Sequence, residues 1–442
     1  MSELEGRTMR TLRPAVSAAR ALLACTALFI GFAVSISATR LLGPPIQVSV
    51  STHSVQSTPK VGVFPDGGFV VVWATAASSG PGSHHQVLHA RLFSADDTPA
   101  SGEFLLARPA AGYHVALDGV AANGNGSFAV LWEVDRNEPP RTRVFVQLFN
   151  RKGAPLTPAV LAHDPSPDAR YFGALAVAAD GRIAVLWAAD VGQATNQTYR
   201  NDADVRIFDS ELRPLTGEML VSMGSTADGS GPFPDALAFG PDDTLVAALT
   251  YAGDSVDVFA QRIAADGTPL PTDQIDTGLT ACRCIDGNTY DASLAMAPDG
   301  SFIVTWDYGY PAQPYQLPLP LSPPSGINGR LFTASGNALG TAAIQVNRRN
   351  LGQLTSPQIA ALGTGGFAAA WVEESGRDGD GNGIFARLIA EDGSPQGRDF
   401  LVNAITAGNQ TSPNLAAGPR GAIIVWLSGT GTTVYARRIQ GP

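Results

Sequence analysis

Three observations predict an all-β fold, a seven-bladed β-propeller of four-stranded blades. One β unit recurs seven times, Gly-containing turns separate its apolar runs, and the last copy is one strand short. The unit is clearest at Pro65-Asp66-Gly67-Gly68-Phe69-Val70-Val71-Val72-Trp73. It returns at 123–132, 180–187, 299–306, 363–371 and 419–426, and these copies hold all six tryptophans. The interval from Trp187 to Trp306 is double, and the copy at 241–249 fills it, with Leu249 in the tryptophan's place.

Each copy carries four strand signals. The first strand precedes the Asp-Gly-type turn, as at 60–64, 173–177, 292–296 and 358–361. The second ends in the tryptophan or Leu249 and is almost wholly apolar, as suits a strand covered on both faces. A loop of variable length leads to the third, at 88–93, 144–149 and 384–389. A second Gly turn, as at 152–153, 266–267, 335–336 and 392–393, leads to the fourth, at 103–106, 344–347 and 400–403. Asp-Gly between apolar runs is a strong hairpin signal, and no stretch shows a helical period.

One such sheet cannot bury both faces, so the copies must stack. No polar terminal copy caps an open array, which favours a ring. The seventh copy ends after its third strand at 434–439, while Ile46-Gln47-Val48-Ser49-Val50 matches the fourth strand Ile344-Gln345-Val346-Asn347. The front of the chain is therefore expected to complete the last blade. The expected blades are 55–107, 113–162, 171–222, 233–278, 290–347, 355–403, and 411–440 plus 45–51, within a propeller of 39–442. A column in the third strand, Arg91, Gln147, Arg206, Gln261, Arg330, Arg387 and Arg437, reads either as a basic ring for anions or as packing on the tryptophans. Its repetition favours packing.

The patterns Asp-Gly-x-Phe-x-Val-x-Trp, Gly383-Ile384-Phe385-Ala386-Arg387-Leu388 and Phe400-Leu401-Val402-Asn403 resemble a repeat of secreted bacterial proteins. The resemblance spans about 45–442 and is strongest at 290–347 and 355–403. It implies propeller-like arrays in an extracellular setting, often beside calcium-binding or adhesin modules, and no shared catalytic motif.

The first 38 residues stand apart. Arg7, Arg10, Arg13 and Arg20 precede an uncharged run at 21–39, with small residues at Ser35, Ser37 and Ala38. This is a signal peptide or an uncleaved N-terminal anchor, and either exports the remainder to a secreted, periplasmic or cell-surface location. Any membrane attachment is expected only through that segment if it stays uncleaved. The net charge of −10 and the lack of a Lys/Arg stripe argue against nucleic acid. The propeller is expected to be a monomer. Cys282-Arg283-Cys284 reads as a strained disulfide, two free thiols or half of a soft-metal site.

Function is expected on the rim that carries the variable loops. The longest loop, with Asp307, Tyr308, Tyr310 and Tyr315, is the preferred recognition element or else a Pro-rich flap, and Glu133 and Glu373 follow second strands on the same rim. Asp378-Gly379-Asp380-Gly381-Asn382-Gly383 begins like a calcium loop, with Asp378, Asp380 and Asn382 as ligands, but Ile389 stands where the closing acid belongs. The other reading is a polar turn. His53, His84, His85, His114 and His163 fall in rim loops without a ligand spacing. No catalytic signature motif occurs. The chain thus reads as an exported, non-catalytic propeller that binds a protein or glycan. The alternatives are a polysaccharide hydrolase or lyase using two rim carboxylates, and a purely structural surface repeat.

Overall fold

The computed structural model describes residues 40–50, 54–76, 86–108, 113–135, 142–194, 198–224, 231–252, 256–276, 292–308, 326–429 and 431–441. They contain no helix, and their strands form seven antiparallel sheets of four. The chain enters through β1 (Arg40–Gln47). Blade 1 is β2 (Gln56–Val63), β3 (Phe69–Ala76), β4 (Gln86–Phe93) and β5 (Phe104–Ala107). Blade 2 is β6 (His114–Ala122), β7 (Phe128–Asp135), β8 (Thr142–Phe149) and β9 (Val160–Leu161). Blade 3 is β10 (Arg170–Val177), β11 (Ile183–Ala194), β12 (Thr198–Phe208) and β13 (Met219–Ser222). Blade 4 is β14 (Gly231–Phe239), β15 (Leu245–Ala252), β16 (Val256–Ile263) and β17 (Pro269–Asp276). Blade 5 is β18 (Ser293–Met296), β19 (Phe302–Tyr308), β20 (Gly326–Phe332) and β21 (Ala338–Gln345). Blade 6 is β22 (Leu354–Ala361), β23 (Phe367–Glu373), β24 (Gly383–Ile389) and β25 (Pro395–Leu401). Blade 7 is β26 (Asn409–Gly418), β27 (Gly421–Gly429) and β28 (Thr433–Gln440), with β1 as its fourth strand.

First strands of successive blades pack on one another from β2 round to β26, and β26 packs back on β2. That cycle makes the first strand innermost and closes the ring. The seam is the expected one: Ile46 lies opposite Ala436, Gln47 opposite Tyr435, and the Val48 N–H donates to Val434 O at 2.8 Å. β1 begins at Arg40, earlier than the sequence suggested.

The apolar second strands are explained by two-sided burial. Val70 and Val72 of β3 face blade 2, whereas Val71 and Trp73 face blade 7. Seven apolar clusters result, one at each junction between neighbouring blades. At about 1.5–3 kcal/mol per fully buried aliphatic or Phe side chain, these clusters supply the main force for closure. Leu249 is 2% exposed and fills the tryptophan position of blade 4. In five first turns Asp66, Asn125, Asp180, Asp242 and Asp299 accept an N–H from the residue two further on, at 2.8–3.3 Å. These local bonds hold the aspartates of those turns below the ordinary carboxylate range, the Ser/Thr hydroxyls, the next N–H groups or Arg151 contributing most.

Where its bonds are described, the third-strand column reaches main-chain oxygens rather than the tryptophans. Arg91, Arg206, Arg387 and Arg437 donate through Nη1 to Val48 O, Ala162 O, Val346 O and Val402 O of the preceding blade, at 2.7–3.3 Å. Gln147 and Gln261 are shorter and reach only carbonyls of their own blade, Thr157 O and Leu270 O. Carbonyls just past the fourth strand have no ladder partner, so a guanidinium at the junction satisfies them. The next residue works likewise: Ser49, Asn347 and Asn403 each accept the first N–H groups of a third strand, at 2.7–3.0 Å.

Candidate functional site

Hairpin order places the Gly turns on one side of the ring, and the loops after second and fourth strands on the other. On that loop side the first strands bulge, with register shifts at 57–60, 117–119, 171–174, 234–236, 355–358 and 411–414. Thr58, Phe172, Ser356 and Ser412 sit there at φ of 42°, 54°, 54° and 52°. Such a conformation costs on the order of 1–3 kcal/mol for a non-glycine residue. Four blades share it, so it belongs to the repeat and marks no single site. The side chain presented is what differs. Blades 1, 6 and 7 offer Thr or Ser followed by Pro, and blade 3 offers Phe172 followed by Gly173.

Phe172 is 51% exposed, the one aromatic among the exposed large hydrophobic side chains of the described residues. Its ring meets Tyr171 at 5.0 Å and Phe233 of blade 4 at 5.5 Å, both edge to face. Three aromatics thus gather at the loop-side end of the inner strands. The Tyr171 hydroxyl donates to Asn201 Oδ1, and burial, with Asp190 adding to it, pushes that hydroxyl up to about 12.

Beneath the platform lies a pair of carboxyls from blade 2. The bulge turns Asp118 out of the ladder and towards Glu133, which stands just after Trp132 on β7. The two carboxyls neighbour each other in a largely buried setting, which disfavours ionising both. The Phe172 N–H donates to Glu133 Oε1, and the Gly173 backbone lies against the Asp118 carboxyl. Gly173 is required for that approach, because a Cβ there would meet Leu131 Cδ2 at 2.6 Å and Asp118 Oδ2 at 3.0 Å. Asp118 is partly exposed as a residue, yet its Oδ2 is closed off from solvent. Burial, then the charge of Glu133, raises Asp118 well above the carboxylate range, with Lys60 pulling the other way. Burial raises Glu133 to about 7, the Phe172 N–H opposing it. The pair lies side by side at the loop-side end of blade 2. It can accept hydroxyl protons and hold one of its own.

The other sequence candidates lie apart. Asp307 is buried on β19, Tyr308 ends that strand, and Tyr310 and Tyr315 fall outside the described residues, as do Cys282 and Cys284. Glu373 is buried at the end of β23, accepts the Ser375 hydroxyl at 2.6 Å and pairs with Arg377 at 3.2 Å. In the calcium-like loop Asp378 accepts from Asn403 Nδ2 at 3.0 Å and Asp380 from the Gly408 N–H at 3.1 Å, while the Asn382 N–H donates to Asn409 at 3.2 Å. These bonds tie the loop to its own fourth strand and to blade 7. Among the described residues no three His, Cys, Asp or Glu side chains are grouped to hold a metal. His163 is 2% exposed and stands in the column of Ser49, Asn347 and Asn403. Its Nδ1–H donates to Asp164 O at 2.8 Å and Nε2 accepts the Val144 N–H at 3.4 Å, which fixes a neutral ring. Burial lowers it to about 4.

Asp118, Tyr171 and Phe172 escaped the sequence reading. Aligning the copies on their tryptophans exposes the signal, since Tyr171-Phe172-Gly173 replaces Ser57-Thr58-Pro59, Thr355-Ser356-Pro357 and Thr411-Ser412-Pro413.

No family model matches the sequence, and no curated protein does. Among solved structures, a protein of unknown function from Dyadobacter fermentans is 13% identical with a TM-score of 0.49, over 91% of this chain and 99% of that one. A Hadza microbial sialidase is 13% identical with a TM-score of 0.46, over 84% and 76%. An ulvan lyase of a polysaccharide lyase family is 11% identical with a TM-score of 0.47, over 75% and 78%. At these identities and scores no activity passes from them to this chain.

Proposed function

We propose that the protein is a carbohydrate-binding propeller, exported by its N-terminal segment, that takes a sugar at the loop-side end of blades 2, 3 and 4. The observation that carries this reading is Phe172, half exposed between Tyr171 and Phe233 above the Asp118–Glu133 pair. A pyranose has an apolar C–H face and a rim of hydroxyls. An aromatic platform suits the first, and hydroxyl-accepting carboxyl oxygens suit the second. A protein partner fits less well, because a specific interface needs roughly 1,000 Å² or more and Phe172 is a single projecting anchor. We keep binding without bond cleavage as the reading, because the sequence carries no catalytic signature motif.

The test is calorimetric titration with a panel of neutral oligosaccharides, on the full chain and on Phe172→Ala. A neutral oligosaccharide should bind the native protein, and the variant should lose about tenfold, the about 1.4 kcal/mol at the upper end of an aromatic contact. Equal binding by both proteins, or no binding across the panel, would remove the reading.

A further inference from the structure

On the outer part of the ring, blades 5 and 6 flank an open cleft of about 220 Å³ lined by Arg348, Arg349, Arg377, Phe385, Arg398 and Asp399. Its base is rigid. The Arg377 guanidinium lies 3.7 Å from the Phe385 ring centroid and is 18% exposed. It pairs with Glu373 Oε2 at 3.2 Å and Asp399 Oδ2 at 3.6 Å, carboxylates whose side chains are 0% and 2% exposed. Asp399 is fixed in turn by the Arg348 N–H, at 3.0 and 3.1 Å. The Arg377 N–H donates to Ser375 Oγ at 3.2 Å, and Ser375 donates to Glu373.

Arg348, Arg349 and Arg398 are exposed around this base, and among the described residues none has a carboxylate at salt-bridge distance from its side chain. Four guanidiniums therefore meet two carboxylates, both already engaged, in a chain of net charge −10. Like charges repel, and three unpaired arginines around one cleft are stabilised by an anion between them. Guanidinium forks match planar carboxylates and tetrahedral oxyanions with paired N–H donors. The volume is below the ~300 Å³ at which drug-sized pockets begin, so it suits one charged ring.

We infer that this cleft is a binding site for a carboxylate or sulfate group carried on a sugar ring. The inference rests on the carbohydrate reading only for the sugar that bears the anion, since the cleft is built from different blades. It makes the natural ligand an acidic saccharide.

The experiment titrates the full chain with glucuronate, glucose 6-sulfate, inorganic sulfate and glucose, each against sodium chloride at matched ionic strength. Glucuronate or glucose 6-sulfate should bind beyond the chloride control, and glucose should not. The double variant Arg349→Ala/Arg398→Ala should weaken that binding at least tenfold, while Arg420→Ala, on the turn side, leaves it unchanged. Both substituted sites in the double variant are exposed, so unaltered thermal unfolding should confirm that it folds. Binding of inorganic sulfate alone, equal binding by the double variant, or no signal beyond chloride each overturns the inference. Phe172→Ala must leave these titrations unchanged, and the double variant must leave neutral-oligosaccharide binding unchanged, which keeps the two readings separable.

Discussion

Glu133→Gln separates the charge of the buried carboxyl pair from its shape. The amide can still accept the Phe172 N–H through Oε1 and donate to Asp118 through Nε2, but it cannot ionise. In the unfolded chain Glu133 loses its proton near the ordinary value of 4.5, and in the native protein it keeps that proton to about 7. Between those values the unfolded state sheds a proton that the native state retains. Stability from this group is therefore fully present below 4.5 and lost as pH rises through about 7. At 1.36 kcal/mol per pKa unit the loss is about 3 kcal/mol. An unfolding entropy of about 2.1 cal/mol/K per residue over ~400 residues turns this into about 4 °C. Scanning calorimetry of both proteins at pH 4.5, 6 and 8 reads it directly. The variant's Tm should match the native one at the lowest pH and lead it by about 4 °C at the highest. Parallel pH profiles, or a lead that shrinks as pH rises, would refute the raised Glu133 carboxyl.

The remaining predictions concern the ring itself. His163→Asn puts at this position the residue that blades 5 and 6 use, so the strand cap survives without a titrating ring. Native His163 stays neutral down to about 4 while the unfolded imidazole protonates near 6.5. Its contribution is lost as pH falls across that window, so the variant should unfold at higher temperature than the native protein at pH 4.5 and equally at pH 7.5. Arg387→Ala removes the donors to Val346 O, Gln396 O and Gly397 O, and urea unfolding should report a loss of about 2–3 kcal/mol. Arg387→Lys should recover little, because an ammonium cannot span carbonyls on two blades.

The ring was legible because its cause is local and repeated. Turn, apolar run and tryptophan recur together, and two-sided burial leaves a nearly unbroken apolar strand. Closure was legible because 46–50 carries the fourth-strand pattern that 434–439 lacks. The partners of the arginine column were not, since Val48, Ala162, Val346 and Val402 belong to the neighbouring blade and offer only main-chain oxygen. Glu133 was singled out from sequence, but its partner was not, because a bulge and not strand alternation turns Asp118 towards it. Arg348, Arg349, Arg377 and Arg398 are scattered over two connecting segments and one strand, and only the docking of blade 6 against blade 5 gathers them.

In a ring of like blades, a residue type that recurs in register answers a need every blade has, and function must come from residues that break the register. Departure alone is not enough. Leu249 breaks the tryptophan column and merely fills the same apolar space, and His163 breaks the Ser/Asn column and caps the same strand. Both are buried, so a ligand meets neither. Phe172 breaks its column and is half exposed, and Arg348 and Arg349 are both exposed beyond the fourth strand of blade 5. Exposure adds no stability to the ring, and Phe172 in particular leaves apolar surface in water on a backbone already strained. A ligand that covers the Phe172 ring and neutralises the three arginines would recover free energy at both places. The proposed carbohydrate site and the proposed oxyanion pocket therefore both lie where the repeat is broken in the open.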